Sequence, residues 1–514
     1  MERRAVSILL CALIAWWGAN AGGAALATAQ TPNSLVIGES EDIHSGDPYK
    51  TGSILSYSML INIYDPLVGT DVNLRPVPGL AVSWQVVGPM TWEFKLRHGV
   101  KFQDGETFDA NAVKFSLDRA RDPKTKWEAA SALSPIDSVE VVDDSTVRIH
   151  TKYTWPLLPQ YLAHYGWMEP PQYVQQNGED ALGRHPVGTG PYRFVNHMVD
   201  DHIEIEANPD YWGGKPKIDH VTFRAIPSEA SRLAELLAGS VDLINLIPPS
   251  EFDPIRHNAK LKLVSGASNG IYFLLFNLWN TPPNRPLSNK LVRQAINYAV
   301  DRKILISSIM GGVGTPVATF CTPGAQACDP AIIPYPYDPA RARALLRQAG
   351  YPNGFDISFV TPSGTYPGDR DITLAVAAQL QAIGLHTTVN IREVGVLLTQ
   401  TNVTKNVPED VVFLRSTDRI GSAGETPSNM FYSKGPTSLY RNPEFDAILE
   451  QAKATLDPAA AKELYFHAQA LFENEAPDIS LFTAPNVYGL RKDLIWTPRP
   501  DYEITVATAS FAAK

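Results

Sequence analysis

Residues 79–120, GLAVSWQVVGPMTWEFKLRHGVKFQDGETFDANAVKFSLDRA, decide how the rest of the chain is read. From Trp92 to Arg97 the side chains alternate strictly. Trp92, Phe94 and Leu96 share one face, and Glu93, Lys95 and Arg97 share the other. Successive strand side chains point to opposite faces, so this run predicts a half-buried strand. His98-Gly99 turns the chain, Val100-Lys101-Phe102 reads as a short partner strand, and Gln103-Asp104-Gly105 turns it again. Asp109 stands at an N-cap position, with Val113, Leu117 and Ala120 at helical spacing behind it. A strand, a turn, a strand and a capped helix fit many folds.

Outward from that stretch, 514 residues allow roughly two to four domains. The formal charge is −10, from 44 basic and 54 acidic residues mixed along the chain. No basic stripe predicts nucleic acid, and no basic amphipathic helix predicts a membrane surface. Arg3 and Arg4, a short apolar run from Val6 to Trp17, and Ala27-Thr28-Ala29 form a signal-peptide pattern over residues 1–29. The run is shorter than the roughly 20 residues that span a bilayer. Cys11 follows Leu10 rather than a small residue, which makes it a poor lipid acceptor. An exported, periplasmic protein cleaved near Ala29 is expected. Cys321 and Cys328, in CTPGAQAC, are expected to close a small disulfide loop in an oxidising compartment. No further metal ligand lies near them, and neither metal nor cofactor is expected.

Further along, the residues read as alternating α/β structure. Strand 35–38 ends in Glu39-Ser40-Glu41, and strands 139–142 and 146–149 form a hairpin. Strand 221–226, a helix capped by Ser228 and stopped by Gly239, and strand 241–244 form a βαβ unit. An apolar run at 271–278 is followed by a proline-broken segment, where the crossing to a second lobe is placed. A helix at 289–309, one capped by Asp338, strand 357–360, a helix at 371–383, strands 387–391 and 410–414, and helices 443–454 and 458–474 follow. Gly266-Ala267-Ser268-Asn269-Gly270 fits G-x-S-x-G, but a nucleophile elbow has a helix after the serine, and here a strand-like run follows. No H-E-x-x-H, P-loop or dinucleotide fingerprint is present. Nothing points to an enzyme; an exported hydrolase using Ser268 is the remote rival.

The wording of several segments carries more. LAVSW, then W-E-F-K-L-R-x-G-V-K-F-x-D-G, then F-D-A-x-x-V-K-F-S resembles the signature of the peptide/nickel class of bacterial extracellular solute-binding proteins, the receptors that feed ABC transporters. IYDPL at 63–67, PVGTGPY at 186–192, NPDYWGGKP at 208–216 and VRQAINYAVD at 292–301 extend the likeness over nearly the whole mature chain. It implies a two-lobed α/β periplasmic-binding-protein fold, with an extra subdomain in the first lobe and a ligand cleft between lobes. The expected division is first lobe 30–70 and 185–279, subdomain 71–184, second lobe 280–483, and a return to the first lobe at 484–514. The implied function is capture of a small peptide or peptide-like solute and delivery to permease subunits in the inner membrane, by a monomer. An opine-like compound, glutathione or a nickel complex is the alternative solute.

In dipeptide receptors an aspartate after a second-lobe strand holds the ligand's amino group, and an arginine at a helix start holds its carboxylate. The resemblance puts Asp418 and Arg370 in those roles, with Tyr366 beside Arg370 and Glu39, Ser40 and Glu41 at the first-lobe edge. The chain departs from the pattern where Leu414-Arg415 replaces Gly-Trp and residues 423–427 replace Asp-Pro-Asp. Arg415 and Arg419 make that wall more cationic, which favours a more anionic ligand.

Overall fold

The computed structural model describes residues 33–279, 282, 284–484 and 486–512. The expected signal peptide and its cleavage near Ala29 lie outside them. Three larger sheets organise the described residues. The first-lobe sheet has seven strands, in the order Leu261–Ser265, Val487–Arg491, Leu243–Ile244, Ser34–Glu39, His220–Ala225, His202–Ala207, Tyr192–Met198. The second-lobe sheet has five, in the order His386–Ile391, Asp356–Thr361, Val411–Thr417, Gly270–Phe276, Asp478–Thr483. A separate antiparallel sheet of four, Ala81–Gly88, Thr91–Leu96, Thr146–Thr151 and Ile136–Asp143, forms the subdomain.

The opening stretch folds much as its pattern predicts. Phe94 and Leu96 are buried, Lys95 is exposed, and Glu93 is covered while paired with Arg148 and Lys95. Asp109 caps helix Ala110–Arg121 by accepting from the amides of Asn111 (2.8 Å) and Ala112 (3.0 Å). Residues 100–102 do not become a strand; a single bridge joins Lys101 to Thr107, and Thr91–Leu96 pairs instead with Ala81–Gly88 and Thr146–Thr151. Gln103 ties the turn to the first lobe. Its Nε2 donates to the carbonyls of Ile63 (3.0 Å) and Tyr192 (2.7 Å), and its Oε1 accepts from the Gly188 amide (3.2 Å). Glycine is required there, because a Cβ at Gly188 would collide with the Ile63 carbonyl and one at Gly190 would lie 2.5 Å from the Ile63 carbonyl carbon. Asp65 gathers the other motifs, accepting from Thr189 (2.9 Å), Tyr211 (3.0 Å) and Trp212 (2.7 Å). The shared phrases of the first lobe are thus mostly scaffold.

Strand Gly270–Phe276 is buried along its whole length. Tyr272, Leu274 and Phe276 face the core under helices Lys290–Tyr298 and Asp369–Gln381; Ile271, Phe273 and Leu275 face the core under Pro443–Ala454 and Pro458–Glu475. A strand covered on both faces reads as an unbroken apolar run. It pairs antiparallel with Val411–Thr417 on one side and Asp478–Thr483 on the other. This corrects the crossing expected at 277–283: the chain changes sheet at residues 266–269, and the run belongs to the second lobe. It changes back between Thr483 and Val487. The helix expected at 289–309 is two helices, Lys290–Tyr298 and Arg302–Ser308, because Asp301 caps the second by accepting from Lys303 and Ile304. Among the described residues, no helix is long and apolar enough to cross a membrane.

Candidate functional site

A cavity of about 190 Å³ lies between the lobes, against residues at both crossings. From the first lobe Leu55, Asn245, Asn486, Tyr488 and Tyr502 line it; from the second, Tyr366, Pro367 and Arg415.

Arg415 is the cation of this cavity. Its strand position pairs with Tyr272, and its side chain passes over Gly270, where a Cβ would stand 3.2 Å from Nε and 2.5 Å from the Tyr502 hydroxyl. The guanidinium sits 4.2 Å from the centre of the Tyr502 ring and 5.8 Å from that of Tyr366. Such contacts attract a cation through the ring quadrupole. Burial opposes the charge, but the hydroxyls of Tyr502, Tyr272 and Tyr366 hold the pKa above its usual value. Nε has no partner, and no ion pair reaches Arg415 among the described residues.

The walls are held by local structure. Asp369 accepts from the amides of Gly364 (3.1 Å), Thr365 (3.0 Å), Tyr366 (3.0 Å) and Arg370 (2.7 Å), which fixes the loop carrying Tyr366. Ser268 Oγ lies 2.5 Å from the Tyr502 hydroxyl, at the crossing between sheets. The serine of G-x-S-x-G therefore positions a ring of the cavity and has a tyrosine rather than a base as its partner. On the first-lobe side, Asn245 Nδ2 donates to Glu39, which is fully buried at the end of the first strand. Burial pushes Glu39 up to about 8, against the opposing Asn245 hydrogen bond and Arg232 charge.

Of the residues expected from sequence, Tyr366 and Arg415 line the cavity. Glu39 stands behind Asn245. Ser40 is half-buried and outside the lining, and Glu41 accepts from Ser53 at the start of helix Ile54–Leu60. Arg370 is exposed, apart from the cavity. Asp418 is buried beside Glu425; burial, then that carboxylate, raise its pKa well above the usual range. A carboxyl biased to its neutral form is a poor partner for an ammonium group. Asn245 and Tyr502 escaped the sequence reading. Asn245 had a readable signal, since it directly follows a strand of a sheet whose strand ends face the cleft. Tyr502 had none.

Arg419 belongs to a second inter-lobe contact. Its amide and that of Ile420 donate to Glu425 (2.7 and 3.3 Å). Ile420 is 2% exposed and packs into the first-lobe hydrophobic cluster, while a Cβ on Gly421 would meet Leu74 at 3.1 Å. The Arg419 side chain lies by Tyr165 and Tyr57. Close by, ligand-type atoms of His164, Asp501 and Glu503 fall within 4.8 Å of one another. They do not fit a resident metal ion, because Arg499 already occupies both Asp501 oxygens (3.0 and 2.5 Å) and lies 3.7 Å from Glu503. Cys321 and Cys328, expected to form a disulfide, lie side by side without a bond between them; burial and then the Cys328 thiol raise the Cys321 pKa. Hydrogen bonds also hold their loop, with the Gln326 amide donating to the Gly421 carbonyl (3.4 Å) and Gln469 donating to the Ala327 carbonyl (2.9 Å) and accepting from the Asp329 amide (3.0 Å).

Residues 75–438 match the family described as bacterial extracellular solute-binding proteins, family 5 Middle. The chain belongs to that family. Family 5 members are solute-binding receptors of ABC importers, and this receptor is one of them. It is 34% identical over 460 residues to the glutathione-binding protein GsiB of Pectobacterium atrosepticum, covering 87% of this chain and 88% of the relative. HbpA2 from Haemophilus parasuis shares the two-lobed fold, with a TM-score of 0.83 over 94% of this chain and 100% of that one at 23% identity. The periplasmic protein DppA from Helicobacter pylori, in complex with the peptide STSA, superposes with a TM-score of 0.75 at 25% identity, over 93% and 98% of the two chains. The cavity of this receptor lies between its lobes.

Proposed function

We propose that this receptor captures a small peptide-like solute with a free carboxylate, glutathione being the first candidate, and passes it to an ABC permease without chemical turnover. One observation carries the reading: Arg415 stands in the inter-lobe cavity between two tyrosine rings with no carboxylate partner. A half-buried guanidinium whose Nε is buried and without a counter-ion gains from one, so the site favours a ligand that supplies it. The relative that binds glutathione and the neighbour that holds a peptide agree with that chemistry. In this reading Arg415, not Arg370, meets the carboxylate, and Asp418 shapes the loop of the second inter-lobe contact. The receptor is exported with cleavage near Ala29, works as a monomer in the periplasm, and divides into lobes at residues 266–269 and between Thr483 and Val487.

Native mass spectrometry of gently purified mature protein, followed by calorimetry with glutathione and alanyl-alanine, tests this. A co-purifying solute with a carboxylate, or saturable binding of either probe with the probe recovered intact, is expected. A purely cationic solute, or hydrolysis of the probe lost in Ser268→Ala, would overturn it.

A further inference from the structure

Most buried polar atoms in folded proteins find a partner, so several orphans around one cavity are informative. Arg415 Nε, Asn245 Oδ1 and Glu39 Oε1 are all buried and unpartnered. Arg415 and Asn245 line the cavity from opposite lobes, and Glu39 backs Asn245. The guanidinium can only donate, whereas an amide oxygen can only accept. The cavity therefore carries a donor end on the second lobe and an acceptor end on the first.

We infer that Asn245, held from behind by Glu39, accepts a hydrogen bond from an ammonium group of the same solute whose carboxylate lies on Arg415. The cavity then selects an amino-acid-type end carrying both groups. This deepens the proposed function and rests on it. Asn245 is the binding residue and Glu39 a positioning residue: an oxygen of its carboxyl accepts from the amide's Nδ2, which turns Oδ1 toward the cavity. The charges facing Glu39 are Arg232 and Glu41, and neither touches Asn245 by an ion pair. The pairing differs from the Asp418–Arg370 clamp, because both of its ends reach the cavity.

Calorimetry on the mature chain tests it with glutathione, its deaminated analogue (hydrogen in place of the glutamyl α-amino group) and its glutamyl α-carboxamide. The wild type should bind glutathione about tenfold or more tightly than the deaminated form, the ratio that one lost hydrogen bond to a buried acceptor produces. Asn245→Leu should bring that ratio to about one while leaving the preference for the free acid over the amide. Asn245→Asp, which keeps the shape, should raise the ratio and guards against a misfolded leucine variant. Glu39→Gln should lower the ratio without abolishing it, since either end of the Asn245 amide can then face the cavity. A wild-type ratio of one, or a ratio that survives in Asn245→Leu, overturns the inference while glutathione binding stands. Absence of binding by the wild type overturns the proposed function first, and this inference with it.

Discussion

Arg415 and Arg419 lie four residues apart on one second-lobe segment, both substantially covered and both without an ion pair among the described residues. What surrounds them differs. Arg415 opens onto an unfilled cavity of about 190 Å³ and keeps a free Nε. Arg419 leads a filled contact, in which Ile420 enters the first-lobe core and Gly421 packs on Leu74. A covered guanidinium is thus read from its surroundings: under the proposed function one meets a ligand's charge, and the other packs in the contact between lobes. The contrast also explains why the clamp position taken over by resemblance, Asp418, sits in the sealing loop.

The strongest test of the contrast is Arg415→Met. Truncating one partner of a buried charge pair costs about 2–5 kcal/mol, so the affinity for the carboxylate solute should fall roughly 30-fold or more. Folding stability should hardly change, because the variant removes an unpaired buried charge. Arg419→Met should lose much less affinity, since methionine keeps most of the packing of the arginine stem. Equal losses in the two variants, measured by calorimetry, would erase the distinction between cavity and seal.

A smaller effect is expected in the seal itself. Ile420→Val removes one methyl group from a packed site, worth about 0.5–1.5 kcal/mol. If the lobes swing about residues 266–269 and the return between Thr483 and Val487, Ile420 is packed only while they are closed. Solute affinity should then drop by roughly two- to tenfold, at about 1.4 kcal/mol per decade, with the urea midpoint of the solute-free protein almost unmoved. An unchanged affinity with a lowered midpoint would mean that Ile420 belongs to a permanent core.

How much of this was legible in the sequence follows from how local each feature is. The caps at Asp109, Ser228 and Asp338 depend on a few neighbouring residues, and each begins the helix its pattern predicts. The apolar run at 271–276 announced a strand but not its lobe, because burial on both faces removes the alternation that would point to one core. Asp301 looked like the middle of a helix, yet its side chain starts a new one. The cationic wall was legible as a departure from a familiar phrase, with Arg415 where tryptophan was expected. Its partners were not, since Asn245, Tyr366 and Tyr502 meet only through the folding of distant segments.

The least effect, and the finest separation of the two regions, is expected from protons. Burial raises Glu39 beside the cavity from 4.5 to about 8; in the seal, burial and then Asp501 raise Glu503 from 4.5 to about 8. Each folded carboxyl therefore holds a proton that its unfolded counterpart has released, so each contributes stability that is full below about 4.5 and lost as the pH rises to about 8. Glu39→Gln and Glu503→Gln should both flatten that fall in urea denaturation. Solute binding should treat them differently. Glu39 faces Asn245, Arg232 and Glu41, and an ammonium group arriving at Asn245 adds a positive charge that lowers its pKa. Glu503 faces Asp501, Arg499, Arg419 and His164, all away from the cavity lining. Calorimetry at pH 7 in buffers of different ionisation enthalpy should therefore detect a fraction of a proton released on binding, absent in Glu39→Gln and kept in Glu503→Gln. Release that survives Glu39→Gln but vanishes in Glu503→Gln would move the solute's amino end from the Arg415 cavity to the seal.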